Sequence, residues 1–228
     1  MFHGNHTVVL PSFDAEATLA AIQEHRCDWL YLVPTMMQRI WRLPTEVREG
    51  YDLSSLEVFW HMAAPCPPWL KEAFIGWLGG EKVFELYAGT EAQSVTVIRG
   101  DEWMAHRGSV GRPIAGEMQI RDPETYEVLP AGEVGEVFMR SNRGATYSYI
   151  GAEARVSPDG WESLGDMGSM DVDGYLYLTD RRSDMILSGG SNIYPAEVEA
   201  AIDEHPMVTS CAVIGLPDDD LGNRIHAV

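Results

Sequence analysis

Residues 175–199, YLYLTDRRSDMILSGGSNIYPAEVE, put an apolar strand, a charged turn, two glycines and a helix start in immediate succession. Just before them, Asp173-Gly174 reads as a tight turn between MDV and YLYL, the pairing that closes a short hairpin. After the glycines, Pro195 falls at the first helical position of AEVEAAIDEH, where its missing N–H leaves no bond unmade. VTSCAVIGL then reads as a fresh strand. The stretch predicts a joint between a β-rich region and the opening of an α+β unit.

Upstream, residues 8–90 alternate short apolar runs with helical patterns. VVL leads through Asp14, an N-cap residue, into DAEATLAAIQEH; DWLYLV and PTMMQRIWRL repeat the alternation. LEVFWHMA reads as a buried strand, PPWLKEAFIGWLG as a helix with Leu70, Ala73, Phe74 and Trp77 on one face, and KVFELY as the next strand. Strands and helices at this spacing predict a parallel α/β sheet with ligands gathered at the carboxyl ends of its strands. From Ser94 to Asp180 short strands separated by glycine and proline turns predict a small antiparallel, barrel-like β subdomain or meander. The expected division is an α/β subdomain over 1–95, a β-rich subdomain over 96–180, a hinge at 181–184 and the start of an α+β C-terminal domain over 185–228.

The 228 residues are 45% hydrophobic and 22% charged, enough apolar content for one or two packed cores. A formal net charge of −19 opposes wrapping nucleic acid or lying on an anionic membrane. An anionic ligand would have to be held by local donors and a metal ion. Cys27, Cys66 and Cys211 are odd in number and widely spaced, which implies neither a disulfide framework nor a zinc site. No run approaches the roughly 20 apolar residues of a membrane span, and no signal pattern opens the chain, so the cytoplasm is the expected compartment.

Three segments carry candidate chemistry. In ELYAGTEA, residues 85–92, a strand turns at Gly89 and sets Tyr87, Thr90 and Glu91 at a sheet edge. There an aromatic ring can stack on a purine, a hydroxyl can donate to a phosphate oxygen, and a carboxylate can hold Mg²⁺ between phosphates. In AAPCPP, residues 63–68, small side chains allow a close backbone approach. In WESLGDMG, Asp166 is expected in a glycine-flanked turn before a hairpin, where one carboxylate can accept both hydroxyls of a ribose. His61, at the end of a strand, is a candidate lining residue for a substrate pocket.

Taken in order, these segments resemble the adenylate-forming superfamily of acyl-CoA synthetases, peptide-synthetase adenylation domains and luciferases, and they look most like its acyl-CoA synthetase branch. The resemblance covers essentially the whole chain through five ordered motifs. It implies that Ala63, Ala64 and Pro65 approach an adenine and that Tyr87 packs on it, with Glu85, Ala88 and Gly89 on the same nucleotide side. It also implies that Thr90 binds the α-phosphate, Glu91 serves magnesium, and Asp166 with Arg181 holds the ribose. Ser183 and Asp184 become the pivot of a rotating C-terminal domain, Gly189 and Gly190 line the passage of a pantetheine arm, and His61 and Ala88 face the acyl pocket. Leu221 stands where such proteins carry a tunnel tryptophan.

The implied reaction is ATP-dependent joining of a carboxylic acid to coenzyme A through an acyl-adenylate, with ATP, Mg²⁺ and coenzyme A as the small molecules. The wording of VVLPSFDAEATLAAI and GWESLGDMG is similar to members handling fatty, bile-acid or other ring-bearing acids. Two alternatives stay open: an adenylation enzyme loading a carrier protein, and a non-catalytic nucleotide-binding fragment. The family's lysine-ending phosphate loop and its C-terminal lysine have no counterpart in the sequence. The expectation is an internal fragment with little or no turnover by itself, completed by other segments of its parent or paired as a homodimer.

Overall fold

The computed structural model describes residues 4–144, 147–151, 153–181, 184–205, 207–208, 210–218 and 220–228. The chain divides into two compact units, one of Met1–Glu85 with Arg99–Glu102, the other of Leu86–Ile98 with Trp103–Val228.

In the first unit, Asp14 caps helix α1 (Ala15–His25) by accepting from Ala17 N at 2.8 Å, as its position before the periodic run predicts. Strand β1 (Trp29–Leu32) pairs in parallel with β2 (Val58–Met62), with helix α2 (Pro34–Trp41) and the single turn α3 (Thr45–Arg48) between them. Helix α4 (Pro68–Leu78) then leads to β3 (Val83–Ala88), whose first three residues belong to this unit. Alternation along β2 turns Phe59 and His61 inward. Phe59 meets Phe74 of α4 ring on ring at 5.2 Å, and Leu19, Leu32, Met37, Ile40, Leu56, Leu70 and Val83 complete the core.

One expectation for this unit needs correction. VVL, residues 8–10, forms no strand; Val9 is 80% exposed, so the run contributes little burial to offset the ordering of its backbone. On α4, Leu70 and Phe74 are buried and the half-buried Trp77 packs against the same core, while Lys71 is buried beside them. Lys71 takes its place there because a buried acid, Glu85, meets it.

In the second unit the strands are the rest of β3, then β4 (Val95–Arg99, its last residue excepted), β5 (Ser109–Ala115), β6 (Glu117–Arg121), β7 (Gly135–Arg140), β8 (Arg155–Val156), β9 (Glu162–Met170) and β10 (Leu176–Arg181). A single turn, α5 (Gly100–Trp103), follows β4, and of it Trp103 alone belongs to this unit. The sheet runs in the order β4-β5-β10-β9-β7-β6, with β8 on β9, and the pairings from β4 onward are antiparallel. Met118, Ile120, Val137, Met139 and Leu176 form its core. Among the described residues this path stays open, so the expected antiparallel texture is present without a closed barrel. Gly111, at φ +96°, shows why one glycine is needed: a Cβ there would run into the Val97 backbone.

The hairpin between β9 and β10 turns one residue earlier than Asp173-Gly174 implies. Gly174 N donates to Asp171 O at 3.1 Å, so Val172 and Asp173 are the central pair, and Gly174 follows at φ +83°. Beyond β10 come the hairpin β11 (Ile186–Ser188) and β12 (Ser191–Ile193), helix α6 (Pro195–Asp203), and the hairpin β13 (Val213–Asp218) and β14 (Gly222–Ala227). Pro195 opens α6 as expected, and the strand foreseen from Val208 starts at Val213. Among the described residues, no helix is long and apolar enough to cross a membrane.

Candidate functional site

Strand β3 delivers Tyr87 to the second unit, where its ring packs against the Met118–Leu176 cluster and its hydroxyl donates to Asp166 Oδ2 at 2.6 Å. Asp166 is not in a turn. It lies within β9, next to Gly165 at φ +85°, where the ladder to β7 shifts register: Met167 faces Glu136 and Ser163 faces Phe138, so β9 carries extra residues between them. A bulge of this kind re-aims a side chain without ending the strand. The backbone of Arg181 is the register partner of Asp166, so Tyr87, Asp166 and Arg181, selected separately in the sequence, come together.

After Ala88 closes β3, a turn forms in which Ala92 N donates to Gly89 O at 3.1 Å, with Thr90 and Glu91 between them. Thr90 is exposed and Glu91 half-buried. Gly89 is needed for space: a Cβ would overlap Leu164 Cδ1 and stand 2.8 Å from Glu91 Oε2. Glu91 Oε1 accepts the Tyr149 hydroxyl at 2.7 Å.

Four further residues complete this region and were not singled out in the sequence. Tyr147 donates to Glu162 Oε2 at 2.6 Å; the buried Gln93 donates to the same oxygen at 3.1 Å and to the Tyr147 hydroxyl at 3.2 Å. The Tyr147 and Tyr149 rings meet edge to face at 5.1 Å. Burial first, then the Glu162 carboxylate, pushes the Tyr147 phenol well above its ordinary value, and the bond to Glu91 is the largest cause of a rise at Tyr149. The i, i+2 spacing of the two tyrosines was the available signal, since it places both on one side of an extended segment.

In the first unit, His61 is fully enclosed, so it stands in the core and touches no solvent, unlike the cavity-lining role its strand-end position implies. Its Nδ1 lies 3.9 Å from Glu85 Oε1, and neither ring nitrogen has a hydrogen-bond partner among the described residues. Burial, then the nearby Lys71 charge, depresses it to about 3, so the ring is neutral. Glu85 is also buried, its Oε2 paired with Lys71 Nζ. Burial raises the acid and lowers the amine, and their mutual attraction opposes both shifts. Ala63, Ala64 and Pro65 are exposed, with Ala63 held at φ +73°, a left-handed conformation costing an alanine about 1 kcal/mol.

In the C-terminal segment, Gly189 N donates to Leu221 O at 2.9 Å, and a Cβ on Gly189 would sit 3.1 Å from Leu221 Cδ2. The Gly189-Gly190 turn and Leu221 are therefore neighbours. Asp184 is an exposed turn residue, and Ser183 lies outside the described residues.

A profile of AMP-binding enzymes matches residues 1–149. The chain belongs to the AMP-binding enzyme family. This places it in the adenylate-forming superfamily that its ordered motifs resemble. Among relatives, it is 38% identical over 228 residues to feruloyl-CoA synthase of Amycolatopsis sp, covering 97% of this chain and 45% of that protein. Among solved structures, amide bond synthetase from Marinactinospora thermotolerans superposes with a TM-score of 0.84 at 33% identity, over 96% of this chain and 44% of the other. The o-succinylbenzoate CoA synthetase of Bacillus subtilis, solved with its acyl-adenylate intermediate, gives 0.77 at 32% identity, over 94% and 43%. The chain thus spans about 45% of the length of the relatives it matches. Among the described residues of this chain, no group of three or more His, Cys, Asp or Glu could hold a metal ion.

Proposed function

We propose that the protein is an ATP-dependent carboxylic acid:CoA ligase. The observation that carries this reading is the bond between Tyr87 and Asp166, which sets an aromatic platform and a carboxylate side by side at the end of β3 in an AMP-binding chain. Tyr87 would offer its ring to the adenine, and Asp166, with Arg181, would take the ribose hydroxyls. Thr90, exposed in its turn, would donate to the α-phosphate. Glu91 provides a hard oxygen donor. Mg²⁺ keeps several waters and substrate phosphates, so one carboxylate suits it; the ion would neutralise phosphate charge there.

In this reading the carboxylate of the acid attacks the α-phosphorus, pyrophosphate departs, and the CoA thiolate then takes the acyl group as AMP leaves. Ala63, Ala64 and Pro65 would present backbone to the base, and Gly189 and Gly190 would let a pantetheine arm pass. The likeness to feruloyl-CoA and o-succinylbenzoate CoA synthetases supports a ring-bearing acid. An acceptor other than CoA is the second reading, favoured by the likeness to an amide bond synthetase.

Screening ring-bearing and fatty acids with the intact protein for AMP formation, with and without CoA, tests the proposal. Acid-dependent AMP release and a CoA thioester are expected. AMP release with amines or a phosphopantetheinylated carrier, but no CoA product, selects the second reading; no acid-dependent AMP with any acid removes both.

A further inference from the structure

We infer that Tyr149 is a positioning residue for Glu91, an inference that rests on the reading of Glu91 as the cation-binding carboxylate. Glu91 lies half-buried in the turn that follows β3, outside the β-ladder, where its long side chain has several staggered rotamers to choose from. The Tyr149 hydroxyl restricts it, donating to Oε1 at 2.7 Å, and Gly89 leaves room for Oε2, which a Cβ there would approach to 2.8 Å.

Tyr149 is itself anchored. Its ring packs edge-on against Tyr147, whose hydroxyl is fixed by Glu162 at 2.6 Å and by Gln93 at 3.2 Å. Gln93 and Glu91 lie two residues apart on the segment that leaves β3, so both ends of this tyrosine pair are tied to that segment. The hydroxyl therefore reaches Glu91 from a ring packed on a hydrogen-bonded neighbour.

A carboxylate has about four lone-pair sites; the neutral Tyr149 O–H takes one of them and removes no net charge. Tyr149 then orients the acid rather than competing with the ion. If it competed, its loss would strengthen cation binding; if it orients, its loss weakens it. Glu162, bonded to Tyr147 and Gln93, belongs to the mount and is not assigned to the ion.

The test measures Mn²⁺ binding to the intact protein with a non-hydrolysable ATP analogue, reading free Mn²⁺ by electron paramagnetic resonance. Wild type, Tyr149→Phe, Glu91→Gln and the double variant are compared, and their thermal melts show that each is folded. Phe keeps the ring packing on Tyr147 and removes only the donor. Weakening of about fivefold is expected for Tyr149→Phe, within the worth of one hydrogen bond. The double variant should bind no more weakly than Glu91→Gln alone, because the tyrosine acts through that acid. An unchanged or tighter Mn²⁺ affinity in Tyr149→Phe, or full additivity in the double variant, overturns the inference while leaving the role of Glu91 intact. Unchanged affinity in Glu91→Gln overturns the underlying reading, and the inference with it.

Discussion

The Tyr87 hydroxyl and the Asp166 carboxylate, 79 residues apart in the chain, meet at 2.6 Å, so a side chain at the end of β3 and one in the middle of β9 share a single hydrogen bond. Both are half-buried. Removing the hydroxyl with Tyr87→Phe should cost about 1 kcal/mol of stability, the net worth of such a bond. A double-mutant cycle with Asp166→Ala, read from urea midpoints, should assign most of that cost to the pair. Full additivity would mean that the two side chains do not support each other.

Lys71 and Glu85 form a buried pair in which a single substitution should be severe. Lys71→Met leaves a carboxylate buried without its cation, a loss of about 3–5 kcal/mol by comparison with other broken buried pairs. Replacing both, Lys71→Met with Glu85→Leu, should recover much of the loss because neither charge then needs water. Chemical denaturation of the three variants checks this; a double variant as unstable as the single one would contradict it.

His61 should make stability fall on acidification. Its folded value, about 3, lies below the ordinary 6.5, so between those pH values the unfolded chain binds a proton that the folded chain refuses. No loss arises above pH 6.5; by pH 5 the deficit reaches about 2 kcal/mol, at about 1.4 kcal/mol per pH unit. Urea midpoints at pH 7 and pH 5 should converge more in His61→Leu than in the wild type. Parallel slopes would show that the histidine titrates normally in the fold.

Gly89→Ala should destabilise the second unit by about 1–3 kcal/mol through overpacking against Leu164. Adding Leu164→Ala should return part of it, since the clashing atom is a side-chain terminus, whereas the contact with Glu91 Oε2 remains. Thermal melts of the single and double variants measure the recovery. Equal melting points for the two would place the strain elsewhere.

Helix α6 takes a capping bond from outside its own sequence, Asp180 Oδ2 accepting from Ala196 N at 3.0 Å. Tyr194, its N-cap, supplies no side-chain acceptor. Asp180→Ala should therefore cost about 1 kcal/mol, and Asp180→Asn, which keeps an acceptor, much less. Urea unfolding followed by circular dichroism distinguishes them; identical losses would assign the effect to charge.

Local chemistry made much of this fold legible. Asp14 before AEATLAAIQEH, Pro68 and Pro195 at helix starts, and the glycine turn between β11 and β12 each act through their immediate neighbours, so their elements could be read from order alone. The tyrosine, threonine and glutamate of ELYAGTEA were legible for the same reason, a strand followed by a turn. VVL failed because a strand needs a partner, and Asp166 was misplaced because a bulge in β9 looks, in one dimension, like a turn.

The amino-acid order by itself determined the α/β opening, the antiparallel texture after Ser94 and the residues offered for chemistry, because helix caps, side-chain periodicity and glycine turns are properties of neighbours. Tertiary structure alone decided that Lys71 is buried, that His61 is a core residue, and that Tyr149 reaches Glu91 across 58 residues. Those outcomes depend on desolvation and on partners distant in sequence, and the free energy of placing a charge or a hydroxyl is set by what surrounds it in space.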